Sequence, residues 1–134
     1  MAEMSETTLS ICIVNWNTKD LLRDCLSSIY DDPATAGWEV LVVDNGSSDD
    51  TGSVVSRFGD ERIRYIWQEN TGGPAGPRNR GIEASHGDYV AFLDSDDLWE
   101  AHKLATQVSA MERCPEVGLI YGQCLPFGPN LSGR

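Results

Sequence analysis

The sequence predicts an α/β fold: one open, mainly parallel sheet with helices on both faces. Short apolar runs stand at 11–14, 40–43 and 89–93, and the first is short enough and β-branched enough to be a strand buried on both faces. Segments with helical periodicity separate these runs. Strands that alternate with helices pair in parallel through right-handed crossovers, which place helices on both sides of the sheet.

Length and charge narrow the classes of protein that this chain can belong to. Its 134 residues suit a single domain, 1–134, with one hydrophobic core. Ten Lys and Arg against twenty-one Asp and Glu give a formal charge of -11. This balance argues against nucleic acid or an anionic membrane as a partner, and an anionic ligand would need a local cation.

The cysteines and the N-terminal sequence predict a cytoplasmic protein. The four cysteines stand far apart in sequence without a Cys-x-x-Cys pair, which favours neither a zinc site nor a disulfide framework. Residues 1–8 are polar, lack the layout of a signal peptide and are expected to be frayed. No apolar run approaches the ~18 residues of a membrane span, so we expect no transmembrane segment.

The first predicted unit is a strand followed by a helix. The strand contains Ile11–Val14 and ends at Asn15-Trp16-Asn17. Thr18 is a candidate N-cap for a helix that stops at Asp31-Asp32-Pro33. The apolar residues of this helix recur at helical spacing: Leu21, Leu22, Cys25, Leu26 and Ile29.

The second unit repeats this order. A strand at Val40–Val43 gives way to the polar segment 44–50, which offers several caps for a short helix. That helix carries Val54, Val55 and Phe58. Ile63–Trp67 alternates less cleanly and is predicted as a third strand nearer the sheet edge.

Glycine and proline dominate the next segment, 69–81, whose first half is predicted to be irregular. A helix over about Gly76–Ala84 tolerates Pro77 in its first turn. The strand Tyr89–Leu93 follows, and then a helix and a short fifth strand at 118–121. The last helix carries its apolar side chains on one face: Leu104, Val108 and Met111.

Three polar clusters each follow the carboxyl end of a predicted strand: Asn15–Asn17, Asp44–Asn45 and 94–97. In parallel sheets these ends share one edge, which is where ligands bind. Asp94, Asp96 and Asp97 would repel one another unless a cation or helix-end amides compensate. A solvated turn in which an Asp caps the next helix is the alternative, but the convergence of three clusters favours a divalent-metal site.

Four segments together resemble the inverting GT-A glycosyltransferases of family two, a match that runs from about Leu9 to Leu104. The segments are Ser10–Asn17, Val42–Asp49, Asn70–Gly81 and Phe92–Asp97. An Asp-x-Asp pair alone is weak evidence, but all four segments in this order are specific. The resemblance implies a Rossmann-like nucleotide-binding half and a nucleotide-diphosphate sugar donor, with a UDP-sugar favoured.

The resemblance also implies roles for individual residues. The base would lie near Val14–Trp16 with Asp44 accepting its hydrogen bond, and Asp96, with Asp94 as second candidate, would bind Mn²⁺ or Mg²⁺. Trp16 could instead be a rim aromatic, Asp44 a turn residue and Arg78 a surface charge. Asp97 is expected to cap the next helix or to support the site. The predicted donor-binding set is Val14, Asn15, Trp16, Asp44, Asn45, Arg78, Asp94 and Ser95.

Two departures from the family pattern limit this prediction. Pro77 stands where the loop usually carries a small residue, and this could change how Arg78 is presented. Family members also have an acceptor-binding half that supplies the general base, and no residue here matches that base. We therefore expect a chain that stops before that half, with no identifiable catalytic residue.

Two other functions remain open at the level of sequence. A non-catalytic nucleotide-sugar-binding or assembly module would fit the missing base. A nucleotidyltransferase fits less well, because it normally carries a glycine-rich phosphate loop after the first strand, and residues 15–18 contain no glycine. The acceptor, a saccharide or a lipid, is unknown, and an uncovered sheet edge would favour a homo-oligomer.

Overall fold

Strands and helices alternate along residues 8–31 and 37–128, the parts of the chain that the computed structural model describes. This order confirms the predicted α/β class. The strands are β1 (Leu9–Asn15), β2 (Glu39–Asn45), β3 (Ile63–Gln68) and β4 (Tyr89–Asp94). The helices are α1 (Lys19–Tyr30), α2 (Thr51–Ser56), α3 (Ala75–Ala84) and α4 (Lys103–Arg113).

The four strands form one parallel sheet in the order β3-β2-β1-β4. The predicted sheet was mainly parallel, and every pairing in this sheet is parallel. Asn15 on β1 pairs with Asp44 on β2, and Val14 pairs with Asp94 on β4. The polar residues that follow each strand therefore meet at a single edge, as the sequence predicted.

The core lies along the two central strands, β1 and β2. Their inner residues are almost fully buried because helices cover both faces. The edge strands β3 and β4 are half-exposed over most of their length. The fully buried aliphatic side chains of the central strands are Ile11, Ile13, Val40, Leu41, Val42 and Val43.

Contacts of two β1 residues, Cys12 and Asn15, show that helices pack on both faces. A methyl group added at Gly81 of α3 would run into the Sγ of Cys12, so α3 covers the face on which Cys12 lies. Asn15 lies 3.3 Å from Thr51 of α2. Side chains at 12 and 15 point to opposite faces of a strand. The prediction of helices on both faces is confirmed.

Three local predictions are wrong. Phe58 does not lie on the second helix, because α2 ends at Ser56. The described residues 118–121 form no strand, and Leu119 and Tyr121 are strongly exposed. An apolar segment forms a strand only where its backbone pairs with another strand. Residues 118–121 pair with no strand within the described chain. Asp97 does not cap the next helix, because α4 begins at Lys103 after His102, whose φ is 66°.

The chain divides into two compact units, one extending to Ala101 and the other beginning at His102. The first contains the sheet with α1–α3, and the second contains α4 and an irregular segment. Of the predicted frayed start at 1–8, residues 1–7 lie outside the described residues. Thr8 is described and is not frayed, because its N–H donates to Asp88 at 2.9 Å. The predicted helix stop is described only at Asp31, which follows the last residue of α1. No helix among the described residues has the length and hydropathy to cross a membrane.

Candidate functional site

The acidic turn after β4 brings three carboxylates together. Oxygen atoms of Asp94, Asp96 and Asp97 lie within 4.8 Å of one another. The backbone closes the turn, because the Asp97 N–H donates to the Asp94 carbonyl at 3.0 Å. The Ser95 N–H donates to the Val14 carbonyl at 3.2 Å, which fixes the turn beside the end of β1.

The electrostatics of this turn fit a hard divalent cation. Burial raises the pKa of Asp97, and the neighbouring charges of Asp96 and Asp94 raise it further. A cation would relieve this repulsion, and carboxylate oxygens are the ligands that Mg²⁺ and Mn²⁺ prefer. The residues present therefore fit the metal predicted from the sequence, since oxygen atoms of all three carboxylates lie close enough together to surround one ion.

Arg78, in the first turn of α3, faces the acidic turn. One terminal guanidinium nitrogen lies 3.2 and 3.3 Å from the two carboxylate oxygens of Asp94. The Nε of Arg78 is buried and has no hydrogen-bond partner within the described chain. Pro77 lies buried in the first helical turn, where its missing N–H costs nothing. The Arg78 side chain is nevertheless two-fifths exposed, so a phosphate approaching this edge would meet its positive charge.

Asp44 is buried at the end of β2, with 1% of its surface exposed. One carboxylate oxygen accepts the Ser47 N–H at 3.0 Å, and the other accepts the hydroxyl hydrogen of Tyr65. Burial raises the pKa of Tyr65, and the hydrogen bond to Asp44 and its charge raise it further. Asp44 therefore does organise its turn, and its contact with a base stays a prediction.

The end of β1 presents a buried amide beside an exposed indole. Asn15 is 1% exposed, and its amide nitrogen donates to Ser47 at 3.4 Å and Thr51 at 3.3 Å. Trp16 is 57% exposed and stands free to stack on a ligand. Val14 is half-buried and pairs with Asp94.

Asn45 holds the glycine-rich loop against β2. Its carbonyl oxygen accepts hydrogen bonds from Gln68 at 3.0 Å and from the Thr71 N–H and hydroxyl at 3.2 and 3.3 Å. The following residue, Gly46, has φ 80°, and a Cβ there would lie 2.8 Å from the Asn70 nitrogen. Only glycine suits this turn. The donor-binding role of Asn45 stays a prediction.

Sequence reasoning missed three side chains at this edge: Thr18, Tyr65 and Trp67. Thr18 lies between Asn15 and Ser95, at 2.7 Å from each. Trp67 pairs with Asp44 across β2 and β3 and is 56% exposed. Tyr65 lies two positions earlier on the same face of β3. The parallel register of β2 and β3 places Tyr65 and Trp67, and the loop after β1 places Thr18. Sequence periodicity alone gives neither a register nor a loop contact.

The fold and the polar side chains at the carboxyl edge of the sheet define the class of protein. An open parallel sheet with acidic and polar side chains at its carboxyl edge is typical of nucleotide-binding α/β domains. The model of the family described as Glycosyl transferase family 2 matches residues 10–130 of this chain. The chain belongs to this enzyme family, as its resemblance in sequence predicted.

Named relatives match most of this chain but less than half of their own length. An Escherichia coli protein named UDP-Glc:alpha-D-GlcNAc-diphosphoundecaprenol beta-1,3-glucosyltransferase WfgD is 37% identical over 119 residues, which are 89% of this chain and 46% of that protein. Glycosyltransferase GlyG of Streptococcus pneumoniae is 34% identical over 105 residues, covering 77% of this chain and 34% of GlyG.

Solved structures show the same fold with nucleotide ligands. S. aureus TarS in complex with UDP-GlcNAc superposes with a TM-score of 0.70 at 28% identity, covering 80% of this chain and 32% of that one. The mannosyltransferase PcManGT of Pyrobaculum calidifontis, in complex with GDP-Man and Mn²⁺, also has a TM-score of 0.70, at 27% identity over 77% of this chain and 32% of that one. The predicted GT-A, Rossmann-like fold is confirmed.

Proposed function

We propose that this chain forms the donor-binding half of a glycosyltransferase that uses a nucleoside-diphosphate sugar. The observation that carries the proposal is the acidic turn, where three carboxylates lie within 4.8 Å of one another and Arg78 pairs with Asp94. A negatively charged protein can hold a diphosphate only with local positive charge. Arg78 supplies part of that charge, and the turn can hold a cation that supplies the rest.

Asp96 and Asp94 would hold Mn²⁺ or Mg²⁺, with Asp97 within reach. Bound there, the cation would neutralise the two phosphates and so stabilise the nucleoside diphosphate as a leaving group. The Mn²⁺ in the complex of PcManGT with GDP-Man supports this choice of ion. The wholly oxygen ligand set of the turn supports it independently.

The nucleotide would lie across the ends of β1 and β2. The exposed ring of Trp16 offers a stacking surface for a base, and Asp44 pairs across the sheet with Asn15, the residue before Trp16. Arg78 and Ser95 would face the phosphates and the donor sugar. UDP is the favoured nucleotide, since WfgD is named for UDP-Glc and TarS was solved with UDP-GlcNAc.

The reaction that we propose for the whole enzyme is a single displacement. An acceptor hydroxyl attacks the anomeric carbon, the new glycosidic bond forms as the bond to the nucleoside diphosphate breaks, and the configuration inverts. The hydroxyl proton passes to a general base, and we assign that base to no described residue. The acceptor, self-association into a homo-oligomer and the cytoplasmic location stay predictions.

Calorimetric titration with UDP and GDP in the presence of Mn²⁺ tests donor binding. We expect saturable heat with at least one of the two nucleotides, and the absence of heat with both would contradict the proposal. Asp96→Ala should remove the metal dependence of binding. Asp24→Ala is the matched control, since it removes an exposed carboxylate of α1 that is not one of the three in the acidic turn. Retention of metal-dependent binding by Asp96→Ala would show that Asp96 is not a ligand.

A further inference from the structure

Thr18 occupies the N-cap position of α1, but its hydroxyl does not cap the helix. An N-cap threonine ordinarily accepts a hydrogen bond from an amide in the first helical turn. The Thr18 side chain makes no such bond within the described part of α1. Its Oγ instead lies 2.7 Å from the Asn15 Oδ1 and 2.7 Å from the Ser95 Oγ. The hydroxyl thus joins the end of β1 to the acidic turn after β4.

The direction of these hydrogen bonds follows from a carboxylate at the far end. Asp49 can only accept, and the Thr51 hydroxyl donates its hydrogen to it. The Thr51 oxygen is then left to accept the Asn15 amide N–H, at 3.3 Å. The Asn15 carbonyl oxygen must therefore face Thr18.

The remaining two bonds are fixed in the same way. Thr18 donates its single hydroxyl hydrogen to Asn15, so the bond to Ser95 requires Ser95 to be the donor. The result is one directed hydrogen-bond chain: Ser95 to Thr18, Thr18 to Asn15, Asn15 to Thr51, and Thr51 to Asp49. It connects the loops that follow β4, β1 and β2.

We propose that Thr18 is a positioning residue for the cation site. Its hydroxyl holds Ser95, and so the turn that carries Asp94 and Asp96, at a fixed place beside the end of β1. A second hydrogen bond links the turn to β1 itself, because the Ser95 N–H donates to the Val14 carbonyl at 3.2 Å. Carboxylates fixed in advance bind a cation more tightly than carboxylates that must be ordered by it. This inference rests on the proposed metal-dependent binding of a nucleoside diphosphate.

Thr18→Val tests the proposal, because valine keeps the shape of threonine and lacks the hydroxyl. Two affinities of the full chain are measured. The affinity for Mn²⁺ in the presence of UDP is followed by the electron paramagnetic resonance signal of free Mn²⁺. The affinity for uridine without metal is measured by calorimetry. We expect Mn²⁺ to bind about tenfold more weakly to the variant. Uridine affinity should be unchanged.

Three further variants make the result specific. Thr18→Ser restores the hydroxyl and should restore native Mn²⁺ affinity. Ser28→Ala removes a hydroxyl that bonds the Cys25 carbonyl within α1 and should change neither affinity. Thr18→Ala repeats the hydroxyl deletion with a smaller side chain, so a folding defect of the valine variant does not end the test.

The outcomes separate this proposal from the proposed function. If the native chain binds UDP with Mn²⁺, and the folded valine or alanine variant has native Mn²⁺ affinity, the positioning role is wrong and the donor-binding function stands. Equal loss of Mn²⁺ and uridine affinity would also overturn it, since that result indicates a general structural effect. If the native chain binds no nucleoside diphosphate with Mn²⁺, both proposals fail.

Discussion

The guanidinium of Arg78 lies 3.2 Å from the carboxylate of Asp94, so α3 and β4 place a cation against the acidic turn. The two side chains are each about two-fifths exposed, with 41% of their surface accessible. A pair this open contributes little to folding, because water screens it. The ion pair instead holds the positive charge of Arg78 at the edge where we propose that a diphosphate binds.

Arg78→Gln should weaken UDP binding about tenfold in the presence of Mn²⁺, because charge-assisted hydrogen bonds to phosphate are lost. Thermal unfolding should change little. Calorimetry of the variant measures the first effect, and circular dichroism measures the second. Arg80→Gln is the matched control, since Arg80 lies on the same helix and its nearest carboxylate, on Glu83, is 4.0 Å away. If Arg78→Gln and Arg80→Gln bind UDP equally well, Arg78 is a surface charge with no role in binding UDP.

Tyr65→Phe should lower the free energy of unfolding by about 2 kcal/mol, because the buried Asp44 carboxylate loses a hydrogen-bond donor. The Ser47 N–H then remains as its bonded donor within the described chain. Urea denaturation gives this value. Tyr121→Phe serves as control, since Tyr121 is 87% exposed. A change below a few tenths of a kcal/mol in Tyr65→Phe would show that the hydroxyl does not hold Asp44.

Glu39 joins three strands at the opposite, amino end of the sheet. Its carboxylate accepts hydrogen bonds from Ser10 at 2.7 Å, Arg64 at 2.6 Å and the His86 N–H at 3.0 Å. Burial acts to raise the pKa of Glu39, but these bonds outweigh it and lower the pKa from 4.5 to about 2. The charged form is therefore favoured in the folded state.

The stabilisation from Glu39 should be complete above its unfolded pKa of 4.5 and should disappear as the pH falls towards 2. Glu39→Gln should accordingly reduce the free energy of unfolding by about 2 kcal/mol at pH 7. The difference from the native chain should shrink below pH 4.5. Urea denaturation between pH 2 and 7 tests this, with the exposed Glu83→Gln as control. A difference that is constant with pH would contradict the role of the charge.

Gly81→Ala should cost about 1–3 kcal/mol, because the added methyl group overlaps the Cys12 sulfur where α3 packs on β1. Replacing Cys12 with alanine removes that sulfur. In the double variant, Gly81→Ala should therefore cost about 1 kcal/mol less than it does alone. Chemical denaturation of the two single variants and the double variant measures this coupling. Strictly additive effects would show that the contact does not limit the approach of α3.

Sequence periodicity was sufficient for the order of the elements and for the edge at which the site lies. Buried parallel strands are recognised in a sequence as continuous apolar runs, and each run here is followed by polar residues. The contacts of Thr18 and Tyr65 depend on register and on helix placement, which local pattern does not contain. The run at 118–121 had the composition of a strand, but strand formation depends on a partner rather than on composition.

In the proposed function, the acidic turn and the nucleotide-binding strand ends form one site. The most direct test measures UDP affinity with saturating Mn²⁺ and again with a chelator, and Mn²⁺ affinity with and without UDP. We predict that Mn²⁺ tightens UDP binding at least about tenfold and that UDP tightens Mn²⁺ binding by the same factor, as linkage requires. UDP affinity that is the same with and without Mn²⁺ would contradict the claim.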